Sequence, residues 1–398
     1  MKQSVRDLDL KNKKVLIRVD FNVPVKDGRI LNDKKIIESL PTIKYVLDQG
    51  GAVILCSHFG RPEGKDKNFS LKIVFKRLGK YLKRKMYFAE DVVSKDAKLK
   101  AKNLKPGEVL LLENVRFEKG EVENDEDLAK KLASLADVFV NDAFASCHRA
   151  HASTVGVAKF LPSAVGFLVG KELDVLSGVI DNPERPYVAI IGGSKVSDKI
   201  GLISNLMKNV NTILIGGAMA FTFISAVGGD VGSSKVDFEN IELANRLLAN
   251  AKEKGVEIVL PVDAVCASSL SDSAKTKTFN SFEIPEGMMG FDVGGKTLRL
   301  YAKALKGAKT VVWNGPVGAF EFKKFSKGTK KLAKMVGSLN AKKIAGGGDT
   351  ANAVISFGLK NKFTHISTGG GATLKLLEGK SLPAIDAIGD KEKNKKSK

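Results

Sequence analysis

Cysteine is scarce in this chain, with Cys56, Cys147 and Cys266 the only three in 398 residues. An odd number of widely separated cysteines makes no disulfide framework, which argues for a reducing compartment. Long hydrophobic runs are also missing. No apolar stretch approaches the roughly 18 residues of a membrane-spanning helix, and the opening MKQSVRDLDLKNKK has no apolar core of the signal-peptide kind. A cytoplasmic location is therefore expected. The G-x-S-x-G elbow of one large hydrolase class is absent as well. Acidic charge is in deficit: 65 Lys+Arg stand against 44 Asp+Glu, a net +21.

That excess points to anionic ligands, nucleic acid among them. It is divided evenly between the two halves of the chain, however, and no aromatic-rich RNA-binding signature accompanies it. The segment KRLGKYLKRK (76–85) has helical spacing, and the tail KEKNKKSK (391–398) is read as disordered. Both are read as solvated basic surface. With 43% apolar and 27% charged residues, the rest has the balance of a soluble globular enzyme of two or three domains.

Short β-branched runs recur and nearly all stop at glycine or a polar cluster: KVLIRVDFNVP, GAVILCSHFGRP, EVLLLENVRF and DVFVNDAFASCHRAH, then YVAIIGGSK, NTILIGGAM, TVVWNGPVG, KKIAGGGDT and HISTGGGAT. Helical-period segments such as SLKIVFKRLGKYL and NIELANRLLANAKEKG lie between them. The alternation predicts an α/β protein with doubly wound parallel sheets, whose ligands bind beyond the carboxyl ends of the strands. The strand ends differ between the halves. Up to residue 160 they carry Asp20, Asn22, His58, Arg61, Arg116, His148, Arg149 and His151. From 187 to 372 they carry glycines, with Lys195, Lys199, Asn314 and Asp349. A boundary is expected near 160–185. One half is suited to hold an anion through cationic side chains, the other to bring bare backbone against phosphates.

GFDVGGKT (290–297) satisfies the P-loop pattern G-x-x-x-x-G-K-[ST] letter for letter. A working P-loop follows a buried strand and opens a helix. Here Pro285 and Gly287 are expected to break any preceding strand, although LRLYAKALKG downstream reads as helical. Better phosphate loops lie elsewhere. IAGGGDTANAVISFG (344–358) places Gly346, Gly347 and Gly348 between an apolar strand and a helix, where amides and the helix dipole favour negative charge. Asp349 there is within reach of a phosphate-bound magnesium ion. IIGGSKVSDKIGLISNLM repeats the device, with Lys195 and Lys199 expected on one face of a helix start. The bland alternative, glycines for tight packing and surface lysines, weakens as such loops multiply in one half.

In the first half, arginine suits carboxylate and phosphate bidentately and histidine adds a donor. A zinc site from Cys56, His58, Cys147, His148 and His151 is the rival. Its spacings, C-x-H and C-H-x-x-H, match no usual zinc pairing, and the neighbouring arginines would repel a cation.

RVDFNVP, SHFGRP, ENVRF, DAFASCHRAHAS, GGSKVSDKI, WNGPVGAFE, GGGDT and STGGGA, in this order from about residue 5 to 390, resemble the successive motifs of the phosphoglycerate kinase family. The resemblance implies two Rossmann-like domains with a cleft between them. The expected parts are an N-terminal 3-phosphoglycerate domain (1–165), a hinge helix (166–185) and a nucleotide domain (186–372), with segment 373–390 returning to the first domain. It also implies a cytoplasmic, monomeric enzyme of glycolysis, reversibly moving a phosphoryl group from 1,3-bisphosphoglycerate to Mg2+-ADP. Carried over, Asp20, Asn22, Lys35, His58, Arg61, Arg116 and Arg149 would hold the glycerate substrate. Lys195, Lys199, Gly216, Gly217, Asn314, Glu321, Gly347, Gly348, Asp349 and Thr350 would serve the nucleotide, Glu321 at the ribose and Asp349 near the metal. Lys35, Lys195 and Gly348 would act on the transferring group. GFDVGGKT matches a family loop that commonly has proline where Gly295 stands, which makes the P-loop match accidental and leaves Gly290 near the base or ribose.

One position departs from the family pattern: DKKIIESLPTI puts Lys35 where an arginine is usual. Charge is kept but the planar fork that grips two oxygens is lost. Turnover is expected to rise in Lys35→Arg; equal steady-state rates for the two enzymes would count against this role.

Overall fold

A computed structural model describes residues 2–391. The basic tail thus lies outside the described residues, apart from Lys391, which pairs with Asp7 (2.6 Å). The chain divides into two compact units, Met1–Asp174 with Ser381–Lys398, and Val175–Lys380. The division falls inside the helix Phe167–Ile180.

The first unit is built on six parallel strands in the order Met86–Phe88, Val109–Leu111, Ala52–Cys56, Lys14–Arg18, Val138–Asn141, Ser163–Val165. Central strands such as AVILC and VFVN are buried along their whole length, as a sheet covered on both faces requires. The helix Lys34–Asp48 turns Ile36, Leu40, Ile43 and Val46 toward the sheet at three- and four-residue spacing. Each such side chain contributes about 1.5–3 kcal/mol on burial. A hairpin, Val25–Lys26 with Arg29–Ile30, turns on Asp27 and Gly28, both at positive φ (49° and 68°). Asp-Gly is the pair such a two-residue turn favours.

The second unit has six parallel strands in the order Glu257–Val259, Thr212–Ile215, Tyr187–Ile191, Thr310–Asn314, Lys342–Gly346, His365–Ile366. In chain order this is 3-2-1-4-5-6, the arrangement of dinucleotide-binding folds. A separate three-stranded antiparallel sheet joins Lys277–Asn280, Asp263–Ala267 and Met289–Val293. One correction is that the P-loop pattern itself overlaps a strand, Met289–Val293, which the sequence did not suggest. The expectation that Pro285 and Gly287 leave no strand leading up to Gly290 stands, since only the two-residue Glu283–Ile284 lies upstream and it ends at Pro285.

The C-terminal segment needs a second correction. Residues 373–380 belong to the second unit rather than to a returning strand of chain. The helix Gly371–Leu377 lies on Ile200–Leu206, where Asn205 Nδ2 donates to Leu377 O (2.9 Å). From Ser381 the chain is part of the first unit: Ala384 N donates to Cys147 O (3.2 Å) and Gln3 N to Gly389 O (2.9 Å).

At the centre of the second sheet, backbone meets backbone. A Cβ on Gly192 would lie 2.0 Å from Pro316 O. Gly192→Ala is expected to lower stability by about 3 kcal/mol through overpacking. Gly178, in a helix with nothing within 4 Å of its missing Cβ, is the control: Gly178→Ala should gain up to about 1 kcal/mol. Denaturant unfolding of the two variants provides the comparison.

Candidate active site

In the first unit the strand order reverses between Lys14–Arg18 and Val138–Asn141, and the polar residues gather at the carboxyl ends there. Among them Arg18 is only 1% exposed. Its Nε donates to Ser153 Oγ (2.8 Å), its Nη1 to Val19 O (2.5 Å), and its Nη2 lies 3.2 Å from His58 Nδ1. Ser153 in turn donates to Glu121 through N (2.9 Å) and Oγ (2.6 Å), with His151 Nδ1 3.6 Å from the same carboxylate. Burial alone would raise the Glu121 pKa, but His151, Arg18 and Ser153 hold it below the ordinary carboxylate range. Burial and then Arg18 push His58 down to about 3, so its imidazole is neutral at physiological pH.

Above this layer stands Asp20, whose Oδ2 takes the Lys35 ammonium (2.7 Å) and whose Oδ1 accepts from Asn22 N (3.0 Å). Burial raises Asp20, yet the Lys35 ammonium, with the Asn22 N–H beside it, outweighs this and holds the carboxyl below its ordinary range. Asn22 Oδ1 accepts from Gly60 N (3.0 Å), and Gly60 O accepts from Arg116 Nη1. Arg116 Nε is buried with no partner. Burial depresses the Arg116 pKa, and the charges of Arg18, Arg149 and Arg61 depress it further. Arg61 and Arg149 are exposed and form no ion pair among the described residues; Arg149 donates to His148 Nε2 (3.1 Å). Four guanidiniums thus raise one another's energy, an arrangement that an anion relieves.

All seven residues expected to hold the glycerate substrate lie at these strand ends or, for Lys35, in the first turn of Lys34–Asp48. Sequence reasoning overlooked Arg18, Glu121 and Ser153. Arg18 stood inside RVDFNVP but reads there as one more strand residue. The zinc alternative fails, since no group of three His, Cys, Asp or Glu among the described residues could hold a metal ion. Cys56 and Cys147 are pushed up to about 12 by burial and remain thiols.

In the second unit the order reverses between Tyr187–Ile191 and Thr310–Asn314, flanked by the glycine loops. Asn314 is 3% exposed. Its Oδ1 accepts from Lys199 Nζ (2.5 Å) and its Nδ2 donates to Gly346 O (3.1 Å), so both ends of its amide are engaged in shaping the loops. Lys199 is depressed by burial, partly offset by Asp198, Asp349 and Glu378. Gly347 sits at φ 90°, and Gly348 opens the helix Gly348–Ser356 with nothing within 4 Å of its missing Cβ. Asp349 is exposed at that helix start and forms no hydrogen bond or ion pair among the described residues. A lone carboxylate suits Mg2+, which keeps waters and phosphate oxygens as its other ligands.

Several expectations for this unit need correcting. Lys195 and Lys199 do not share a helix face: Ser197–Lys199 is a 3-10 turn and the α-helix begins at Ile200, leaving exposed Lys195 in the loop before it. Gly216 is buried, its amide donates to Ile191 O (2.9 Å) and a Cβ there would strike Val317 at 2.5 Å, so it is a packing glycine. Gly217 is different: with Gly290, Phe221, Phe291 and Val317 it lines one small pocket. The Thr350 hydroxyl, fully buried, accepts from Gly315 N (2.6 Å) and so braces the loop from beneath. Glu321 is exposed and forms no hydrogen bond among the described residues.

The P-loop pattern spans the end of the strand Met289–Val293 and the start of the helix Gly295–Leu305, and that strand is antiparallel to its neighbour. The helix start is already occupied. Asp263 accepts from Lys296 N (2.9 Å) and Thr297 N (2.7 Å), and Thr297 Oγ1 donates to the same carboxylate (2.6 Å). Leu298 N is taken by Gly294 O (3.1 Å) as well, so no run of successive free amides remains there to cradle phosphate.

Two parallel α/β units, one ending in clustered cations and the other in glycine loops with lysines, define a small-molecule phosphotransferase. Residues 5–380 match the phosphoglycerate kinase family. The phosphoglycerate kinase of Thermosipho africanus is 53% identical over 397 residues, covering 98% of this chain and 99% of that one. That of Clostridium tetani is 50% identical over 394 residues, covering 98% of each. The structure of phosphoglycerate kinase from Coxiella burnetii superimposes with a TM-score of 0.90 at 43% identity, over 97% of this chain and 98% of that one. That from Pyrococcus horikoshii gives 0.84 at 32%, with the same coverage. The chain belongs to the phosphoglycerate kinase family and is a glycolytic phosphotransferase.

If the P-loop pattern is only structural, Lys296→Ala will leave ADP affinity within about twofold, whereas Thr297→Val will cost about 2 kcal/mol of stability by leaving the Asp263 carboxylate underbonded. Calorimetric titration and thermal unfolding separate the two effects; a large loss of ADP binding in Lys296→Ala would reinstate the P-loop.

Proposed function

We propose that the arginine cluster of the first unit holds 3-phosphoglycerate or 1,3-bisphosphoglycerate, and that the loops of the second hold ADP or ATP. What supports this most directly is the mutual repulsion centred on Arg116: its Nε is unpartnered, and the guanidiniums of Arg18, Arg149 and Arg61 outweigh the one opposing carboxylate, Glu121. Arg61, Arg116 and Arg149 are suited to phosphate and carboxylate oxygens, while Asp20, Asn22 and neutral His58 orient the glycerate hydroxyl and carboxyl groups. In neutral His58 the Nδ1 accepts from Arg18 Nη2, which leaves the Nε2–H to donate to the ligand.

On the nucleotide side, the amides of Gly347, Gly348 and Asp349 at the helix start cradle phosphate oxygens, with the helix dipole behind them. The base rests against the wall of Gly217, Gly290, Phe291 and Val317 rather than inside the pocket they line, which is only water-sized. Glu321 serves the ribose and Lys199, steered by Asn314, the phosphates. Asp349 would hold a Mg2+ ion together with the phosphates, and that ion supplies counter-charge to their oxygens. No general base is required, because the acceptor is already a carboxylate or phosphate oxygen. Catalysis is then positioning and charge neutralisation by Lys35, Lys195 and the Gly348 amide. Transfer needs donor and acceptor oxygens in line, so the reaction proceeds through hinge closure, which also excludes water. The enzyme acts as a cytoplasmic monomer.

The deciding measurement is ATP consumption with and without 3-phosphoglycerate; consumption indifferent to it would refute the reading. Lys195→Ala is expected to keep the fold and nucleotide binding yet lose turnover by about 100-fold or more, as for the removal of one transition-state donor. Near-normal turnover in that variant would remove Lys195 from the mechanism.

A further inference from the structure

The first unit has a second concavity on its chemical edge. It lies outside the carboxyl ends of Ala52–Cys56, Met86–Phe88 and Val109–Leu111, the half of the sheet away from the strand reversal. Its volume is about 1120 Å³, of the order of the roughly 300–1,000 Å³ of pockets for small organic ligands. Asn22 and Gly60 contribute to its wall, but none of Lys35, Arg61, Arg116 or Arg149 does. The groove is therefore separate from the arginine cluster, with the Asn22–Gly60 hydrogen bond as the partition.

The lining has a definite chemistry. Phe69, Phe88, Phe117 and Ile73 are half-buried and face it from four separate segments, and Val25 of the hairpin closes one side with 37% of its surface exposed. Phe69 is fixed edge-on against Phe59 (centroids 6.3 Å apart) and Phe88 is tilted on Phe75 (5.6 Å), so these rings are held in place rather than free to collapse inward. Fixed rings with exposed edges and faces favour a planar aromatic guest.

The charges on the rim are unequal in their commitments. Each carboxylate is engaged: Asp66 accepts from Asn68 N (2.8 Å), Glu113 from Ser70 Oγ (2.6 Å) and Leu71 N (2.7 Å), and Glu90 faces Lys72 (4.0 Å). Lys65 is paired with Asp91 (2.7 Å). Lys67 and Lys76, both exposed, have no ion pair among the described residues. The groove holds four lysines against three carboxylates, and its free hydrogen-bond donors are the Lys67 and Lys76 ammonium groups, above an aromatic floor.

We propose that this groove is a second ligand site, taking a small molecule with a flat aromatic body and an anionic end. The rings of Phe69, Phe88 and Phe117 hold the body, and Lys67 and Lys76 the carboxylate or sulfonate. The probe is 2-naphthoate, titrated into the full-length enzyme by calorimetry, alone and with saturating ADP or 3-phosphoglycerate. Its affinity is expected to be unchanged by either substrate. It should fall by about tenfold or more in the double variant Lys67→Glu/Lys76→Glu, whose kcat stays within about twofold of the parent. Val25→Asp, a single change at an exposed position, should weaken binding likewise without touching the lysines. Unaltered affinity in both variants would overturn the proposal, as would displacement of the probe by ADP or 3-phosphoglycerate. An oligothymidylate that binds the groove more tightly than the probe and is lost in the same variants would overturn it in favour of a single-stranded nucleic acid surface.

Discussion

Parallel pairing imposes one condition on which everything else in this chain depends: all strands of a sheet end on the same edge. Six strands in each unit obey it, so residues far apart in sequence, such as Asp20, His58, Arg116 and Arg149, arrive at one place without any loop having to reach for them. Reversal of the strand order opens a crevice at that edge because neighbouring connections there depart to opposite faces. The same rule acts twice with different side chains. In the first unit the strand ends deliver charge; in the second they deliver glycine, and the backbone itself becomes the binding surface.

Charge delivered this way has to be supported from beneath. Arg18 lies under the exposed arginines, held by Ser153 and Val19 O, with Glu121 and His151 closing the network. A guanidinium at that depth is tolerable only with its hydrogen bonds satisfied and a carboxylate nearby. Its presence has two effects on the surface above. After burial, it is what keeps His58 neutral, with Nδ1 accepting from Arg18 and the Nε2–H left to donate, and it adds to the positive potential at Arg116. The second unit solves the equivalent problem with fewer charges, using the Asn314 amide to aim Lys199 and brace Gly346.

Much of this was legible in the sequence, and the reasons are physical. Alternating apolar runs and helical periods specify parallel α/β layers, and polar residues at the ends of apolar runs fall at the edge where ligands bind. What remained hidden depends on neighbours remote in sequence. Nothing in LIGGAM tells that the Gly216 amide closes on Ile191 while Gly217 faces a pocket. The four-residue interval between Lys195 and Lys199 suggests a helix face, yet a 3-10 turn intervenes. The antiparallel sheet around Asp263–Ala267 was obscured by Pro285 and Gly287, which stand between two of its strands rather than within them. The hairpin at Asp27–Gly28 did carry a readable sign, a dipeptide suited to two consecutive left-handed residues.

The Asp263 carboxylate at the start of Gly295–Leu305 has a consequence for how a chain so rich in positive charge and glycine discriminates among its own anion sites. Being tethered, that carboxylate competes at an effective concentration that well-oriented intramolecular groups raise to on the order of 10⁵ M, against substrates present at roughly millimolar levels or below. The helix start is saturated by a resident competitor at any attainable nucleotide concentration. Selectivity for one phosphate loop over another is thus achieved by permanent self-inhibition of the wrong one, and a sequence that reads as an invitation to phosphate is a site the protein has filled from within.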